Sequence, residues 1–174
     1  MRPSKREMIV DQALRVIGEQ GVGALTYEMI AEQAALTKAG IVYHFPTKDE
    51  LLAAVVDKVT REWDEEASGY LTDSFEESSS AERVTAYLQT LLSGKRTSSE
   101  LVLAAETMAG ESRHPAWEHL RSRWVSDEAT TVWEQVAILA AVGLWFSDAT
   151  EYLTLSESTR AEVRAAVRHL PRMS

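Results

Sequence analysis

The chain has 174 residues, of which 45% are hydrophobic and 26% charged, with 27 carboxylates against 18 Lys/Arg for a net charge of −9, and it contains no cysteine. That hydrophobic share is enough for a buried core and excludes a disordered chain, while the missing thiols exclude disulfides, thiolate metal sites and thiol redox sensing. There is no run of eighteen apolar residues, and Met1 to Ser4 followed by Lys5 and Arg6 lacks the apolar centre of a signal peptide, so a soluble cytoplasmic protein without a membrane partner is expected.

Acidity argues against a nucleic-acid partner until it is located along the chain. Residues 1 to 52 carry six Lys/Arg against seven carboxylates, which leaves twelve and twenty downstream. The excess therefore sits in the C-terminal two thirds, and a cationic face near the N-terminus is permitted.

Ser4 with Glu7 is a capping box, Ile9, Ala13, Val16 and Ile17 recur on one face, and Gly21 with Gly23 closes the run, so a helix over 5–20 is expected. Arg2, Lys5 and Arg6 could reach a phosphate, although a solvated N-terminus is the plainer reading. Thr26 caps a second helix over 27–34, with Met29, Ile30 and Ala34 inward. Thr37 caps a third over 38–44. Two short helices joined by so few residues must cross steeply, which is helix-turn-helix geometry. The third helix carries Lys38, Ala39, Gly40, Tyr43 and His44 on its open side. Its small residues allow close backbone approach, and its polar ones can touch base edges and phosphates. Ile41, Val42 and Phe45 read as core, Glu28 and Glu32 as a solvated face, and His44 is balanced between an internal hydrogen bond and a phosphate contact.

Pro46 ends the third helix, and a Thr47/Glu50 box opens a fourth over about 48–66 with Leu52, Val55, Val56, Val59 and Trp63 as its stripe. Beyond a polar connection at 72–80, a Ser79/Glu82 box starts a helix to about 93. A Thr97/Glu100 box starts another over 98–109, with Leu101, Val102, Ala105 and Met108 inward, before Gly110. Pro115 suits the first turn of the next helix, on which Trp117, Leu120 and Trp124 recur. A break is placed near 126–131. A helix containing Val136 to Tyr152 and a last one over 157–169, with Val163, Val167 and Leu170 on one side and Pro171 as its stop, complete an all-α fold of about nine helices. Residues 1–47 read as a three-helix DNA-binding head, and 48–174 as a helical body. Val136, Ile138, Leu139, Val142, Leu144, Trp145 and Phe146 make their helix apolar on more than one side, which calls for a second partner. Gly143, with Ala140 and Ala141, would let helices approach closely.

Leu25, Thr26, Ile30, Ala31, Ala34, Thr37, Lys38, Tyr43, His44, Phe45, Pro46, Thr47, Lys48 and Leu51 together resemble the TetR family of bacterial transcriptional regulators. The resemblance is specific over about the first 55 residues, and Ala140 to Leu155 looks like one C-terminal subgroup of the family. Two positions depart from the pattern: Ala35 stands where the family has glycine in the turn, and Val42 where it has a tyrosine. The resemblance implies a homodimer that presents two third helices to a double-stranded DNA operator. It implies Thr26, Tyr27 and Lys48 as phosphate contacts and Thr37, Lys38, Ala39, Tyr43 and His44 as the recognition surface. The last two helices would pair with their copies, through Leu139, Val142, Gly143, Phe146, Val163 and Val167. The body would hold a small apolar or aromatic effector, with Trp63, Tyr87, Met108, Trp117, Trp124 and Trp133 as candidate walls and Glu106 or Glu111 as a contact for a cation.

No catalytic residue, metal site or cofactor is expected. The chain shows no glycine-rich phosphate loop, no nucleophile elbow and no histidine pair four apart, and His114 and His119 lack a clear third ligand. The rival to a ligand-released repressor is a helical ligand-binding or protein-interaction module with weak or lost DNA binding.

Overall fold

The helices, apart from the one that opens at Pro115, begin where a Ser or Thr side chain takes up amides that would otherwise go unpaired. The computed structural model describes residues 4–108, 113–126 and 130–172. Across them run α1 (Lys5–Gln20), α2 (Tyr27–Ala34), α3 (Lys38–His44), α4 (Lys48–Ser68), α5 (Ser80–Leu92), α6 (Ser98–Thr107), α7 (Pro115–Trp124), α8 (Val132–Thr150) and α9 (Glu157–His169). Short 3₁₀ turns lie at Val22–Ala24 and Leu170–Arg172, and the fold is all-α with no strand among the described residues. The Ser4/Glu7, Ser79/Glu82 and Thr97/Glu100 boxes all form as expected. A fourth box, Thr131/Glu134, starts α8 at the end of the expected 126–131 break. Gly110, Glu111 and part of the 126–131 break lie outside the described residues, as does Arg2.

Packing divides the chain into two compact units whose boundaries fall inside α4 and α7. The first comprises residues 1–61 and 97–117. There α1 buries Ile9, Val10, Ala13, Val16 and Ile17, packing on α2 and on α6. The α1–α6 crossing needs Gly18, because a Cβ there would stand 1.9 Å from the Ser99 hydroxyl and 2.8 Å from its Cα. Glu106 on α6 accepts a 3.1 Å hydrogen bond from the Val22 amide, fixing the turn after α1. The expected inward face of α6 needs correction. Glu100, Leu103, Ala104 and Thr107 are buried, Leu101 and Val102 are half-buried, and Ala105 and Met108 are exposed. With small apolar residues on nearly every side, this helix shows its inner face only through the Gly18–Ser99 contact.

The second unit comprises residues 62–96 and 118–174, with α5 and α8 packed together and α9 against both. Trp63 and Trp145 meet edge to face at 5.3 Å, and the Arg96 guanidinium lies 4.7 Å above the Trp63 ring. The Trp124 indole donates to Asp64 over 2.7 Å, so a buried aromatic keeps its polar atom satisfied.

Candidate nucleic-acid interface

The short helix α3 is held by very few groups. Thr37 caps it by accepting from the Gly40 amide at 3.1 Å, and Ile41 and Phe45 turn inward to full burial. The reach from α2 to α3 depends on Ala35, whose φ of 52° and ψ of 40° put it in the left-handed region. Alanine thus adopts the conformation for which glycine is the ordinary choice, at a cost of about 1 kcal/mol. Tyr27 ties the two helices together, its hydroxyl donating to the Phe45 carbonyl over 2.7 Å. Desolvation, with Glu50 adding to it, pushes the Tyr27 phenol above its ordinary range, so it remains a donor. The Arg6 guanidinium rests over the Phe45 ring at 4.8 Å.

The open side of α3 presents Lys38, Ala39, Val42 and Tyr43, with Tyr43 82% exposed. Val42 corrects the sequence reading: at 38% exposure it belongs to the open face and not to the core. On a seven-residue helix only i and i+4 reach inside, and Ile41 and Phe45 already occupy those places. His44 is half-buried, with its ring edge-on to Tyr43 at 5.3 Å. Lys38 is ion-paired to Glu28, and its ammonium holds the Glu28 carboxyl below the usual carboxylate range. Both side chains are more than half exposed, so solvent screens the pair and it yields readily to a stronger acceptor.

Beside this face, Leu25, Thr26, Tyr27 and Lys48 line a hollow of about 230 Å³. Thr26 caps α2 by accepting from the Met29 amide at 3.3 Å, and Thr47 caps α4 by accepting from the Glu50 amide at 3.1 Å. Lys48 leans back to donate to the Gly23 carbonyl at 3.4 Å. Lys48 stands at the N-terminus of α4, whose free amides favour an anion, although Asp49 and Glu50 share that first turn.

The expected effector residues are dispersed. Met108 and Trp117 lie in the first unit, and Trp63, Tyr87, Trp124 and Trp133 in the second. Trp63, Tyr87, Trp117 and Trp124 are buried, and the Trp117 indole donates to Thr107 at 2.8 Å, whereas Met108 and Trp133 are exposed. Glu106, a candidate contact for a cation, is occupied by the Val22 amide. Of the expected interface residues, Leu139, Val142, Gly143 and Phe146 lie on the open side of α8. Val163 is half-buried and Val167 is buried within its own chain.

A capped pair of short helices, joined through the left-handed Ala35 and with one polar-tipped face open to solvent, is the arrangement of a helix-turn-helix protein. Comparison with known proteins agrees: residues 9–55 match the model of the bacterial regulatory proteins of the tetR family. The HTH-type transcriptional regulator BetI of Rhizobium meliloti (strain 1021) is 43% identical over 56 residues, which are 32% of this chain and 28% of that protein. The chain thus matches under a third of its curated relative's length. Over its whole length the fold resembles a protein described as a tetR family transcription regulator from Shewanella sp. PV-4, with a TM-score of 0.68, 14% identity and coverage of 97% of this chain and 96% of that one. It also resembles a transcriptional regulator from Saccharomonospora viridis solved in complex with choline, with a TM-score of 0.69, 16% identity and coverage of 97% and 96%. Residues 9–55 thus match the tetR family's model, and the chain as a whole shares the fold of these solved structures. Among the described residues, no helix is long and apolar enough to cross a membrane.

Proposed function

We propose that this protein is a homodimeric DNA-binding transcriptional regulator of the cytoplasm, a repressor released from a near-palindromic operator by a small-molecule effector. The open face of α3 carries the proposal: a buried Ile41/Phe45 side fixes the helix while Ala39, Tyr43 and Lys38, the last in an exposed pair with Glu28, face solvent. In this reading residues 1–47 are the reading head and 48–174 the effector and dimerisation body. Thr37, Lys38, Ala39, Gly40, Tyr43 and His44 meet the major groove. Thr26 and Lys48 take backbone phosphates, and Tyr27, whose hydroxyl is committed to Phe45, positions them.

The head alone is close to neutral, so a single copy binds weakly. Two copies spaced to reach successive major grooves, ~34–36 Å apart, multiply that affinity. Residues 132, 136, 139, 143 and 146 of α8 are all exposed and recur at spacings of four and three, forming an apolar row suited to a second copy. Release follows from packing inside the first unit. Because α6 is locked to α1 at Gly18/Ser99 and to the following turn by Glu106, an effector that displaces α6 re-aims α3.

Fluorescence anisotropy with fragments upstream of the gene and its neighbours tests this reading. Salt-dependent binding to a near-palindrome is expected, and Lys48→Ala should flatten the salt dependence by about one counterion while weakening all sequences alike. Failure on every fragment would leave the alternative, a helical module without DNA binding.

A further inference from the structure

The second unit contains an open cavity of about 410 Å³ whose walls come from the chain just beyond α4 and from one face of α5. Its size falls within the range of small-molecule sites. Tyr70 and Ala86 give it apolar surface, and Thr85 and the buried Ser78 supply hydroxyls. Glu82 and Gln89 stand in the wall two turns of α5 apart, about 10 Å along the axis.

Those two residues make the ends chemically different. Glu82 accepts from the Ser79 amide at 2.8 Å and the Ser79 hydroxyl at 2.7 Å, bonds that hold its carboxyl below the usual range and keep it ionised. It closes a stretch, residues 62–82, with eight carboxylates and no Lys or Arg. Asp64 is paired with Arg123, and Glu66 with Lys95 and Arg96. Asp73, Glu76 and Glu77 lie exposed on the connection that leads into the cavity wall. At the far end Arg168 donates to the Gln89 side-chain carbonyl over 2.9 Å, which leaves the Gln89 amide hydrogens as donors.

We infer that this cavity binds an elongated amphipathic organic cation, with its positive group at Glu82, its apolar part on Tyr70 and Ala86, and any acceptor atom at Gln89. Naming this cation the effector rests on the regulator reading above; its binding does not. The tryptophans expected as pocket walls are not required, since Trp63 and Trp124 are spent on packing and on Asp64.

Calorimetry on the full chain with (4-phenylbutyl)trimethylammonium, 4-phenylbutanol and 5-phenylpentanoate as probes decides the matter. The cation should bind about tenfold more tightly than the alcohol, and the carboxylate more weakly than either. Thr85→Trp, which fills the cavity from an exposed position, should abolish binding. Ala81→Met, which narrows it, serves if the first variant does not fold. Glu82→Gln keeps the helix cap, because glutamine also serves at that position, and should weaken the cation about threefold while leaving the alcohol unchanged. Equal affinity for all three probes, no cation binding, or binding indifferent to the filled cavity would overturn the inference. Operator binding measured on the same sample separates the two readings. A protein that binds DNA but not the cation loses only the cavity, and one that binds the cation but no DNA keeps the cavity and loses the regulator.

Discussion

The helices α3 and α8 both leave large side chains in water, but what they expose is of different kinds. On α3 the open residues are a lysine, an alanine, a valine and a tyrosine, so the face is polar-tipped and stable in solvent. On α8 Val132, Val136, Leu139 and Phe146 stand open around Gly143, with Leu139 72% exposed. An unbroken apolar row forgoes roughly 25 cal/mol for each Å² left in water, a penalty that a second copy removes. Exposure alone thus does not tell the two faces apart. The chemistry of the exposed tips does, polar on α3 and apolar on α8, and it is on this difference that the proposed reading and dimer faces rest.

The largest effect expected from breaking this contrast is at the α8 face. Leu139→Glu sets carboxylates near one another across a twofold contact, so sedimentation at micromolar concentration should show monomer with helix content unchanged. Operator affinity should fall about 100-fold or more as the half-sites uncouple. A dimer that survives would place the contact elsewhere. Next comes the open face of α3, where Tyr43→Ala should cost about 1–3 kcal/mol in operator binding with no change in melting temperature. A large loss of thermal stability would instead make Tyr43 a structural residue.

Smaller effects probe what lies beneath the two faces. Burial pushes the Tyr87 phenol up to about 12, with Arg96 and Arg121 partly opposing it. Because the folded value exceeds the unfolded one, the stabilisation is complete below pH 10 and is lost as pH climbs toward 12. Tyr87→Phe should therefore extend the alkaline limb of the stability profile; an unchanged limb would show that other groups set it. Finally, Ala35→Gly should relieve the left-handed strain, less the extra freedom glycine has when unfolded, for a gain of about 0.5–1 kcal/mol and a melting temperature higher by a few degrees. No gain at all would falsify the claim that Ala35 is strained.

Much of the fold and of the reading head is legible in the residues. The limits of α1, α2, α3 and α9 coincide with those read from the sequence, because Ser4, Thr26, Thr37 and Ser156 act on amides within three residues of themselves. The α3 face follows for the same reason, except at Val42, where an apolar side chain was assigned inward although no inward position remained. The interface and the ligand cavity were less legible. Val167 shares its helix face with Val163, and the sequence does not say that this face meets its own chain. Tyr70, Thr85 and Gln89 carry no periodic signal that would mark a cavity wall.

By itself, then, the sequence determined where helices start and stop, that the fold is all-α, and which head it carries, since caps, helical spacing and turn residues act over a few positions. Only the tertiary structure decided which side of α6 and α8 faces inward, because both are apolar on nearly every side and pattern cannot choose among equal faces. For α6 the choice falls to residues far apart in the chain: Gly18, which admits Ser99, and Glu106, which reaches back to the amide of Val22; for α8 it falls to its packing on α5.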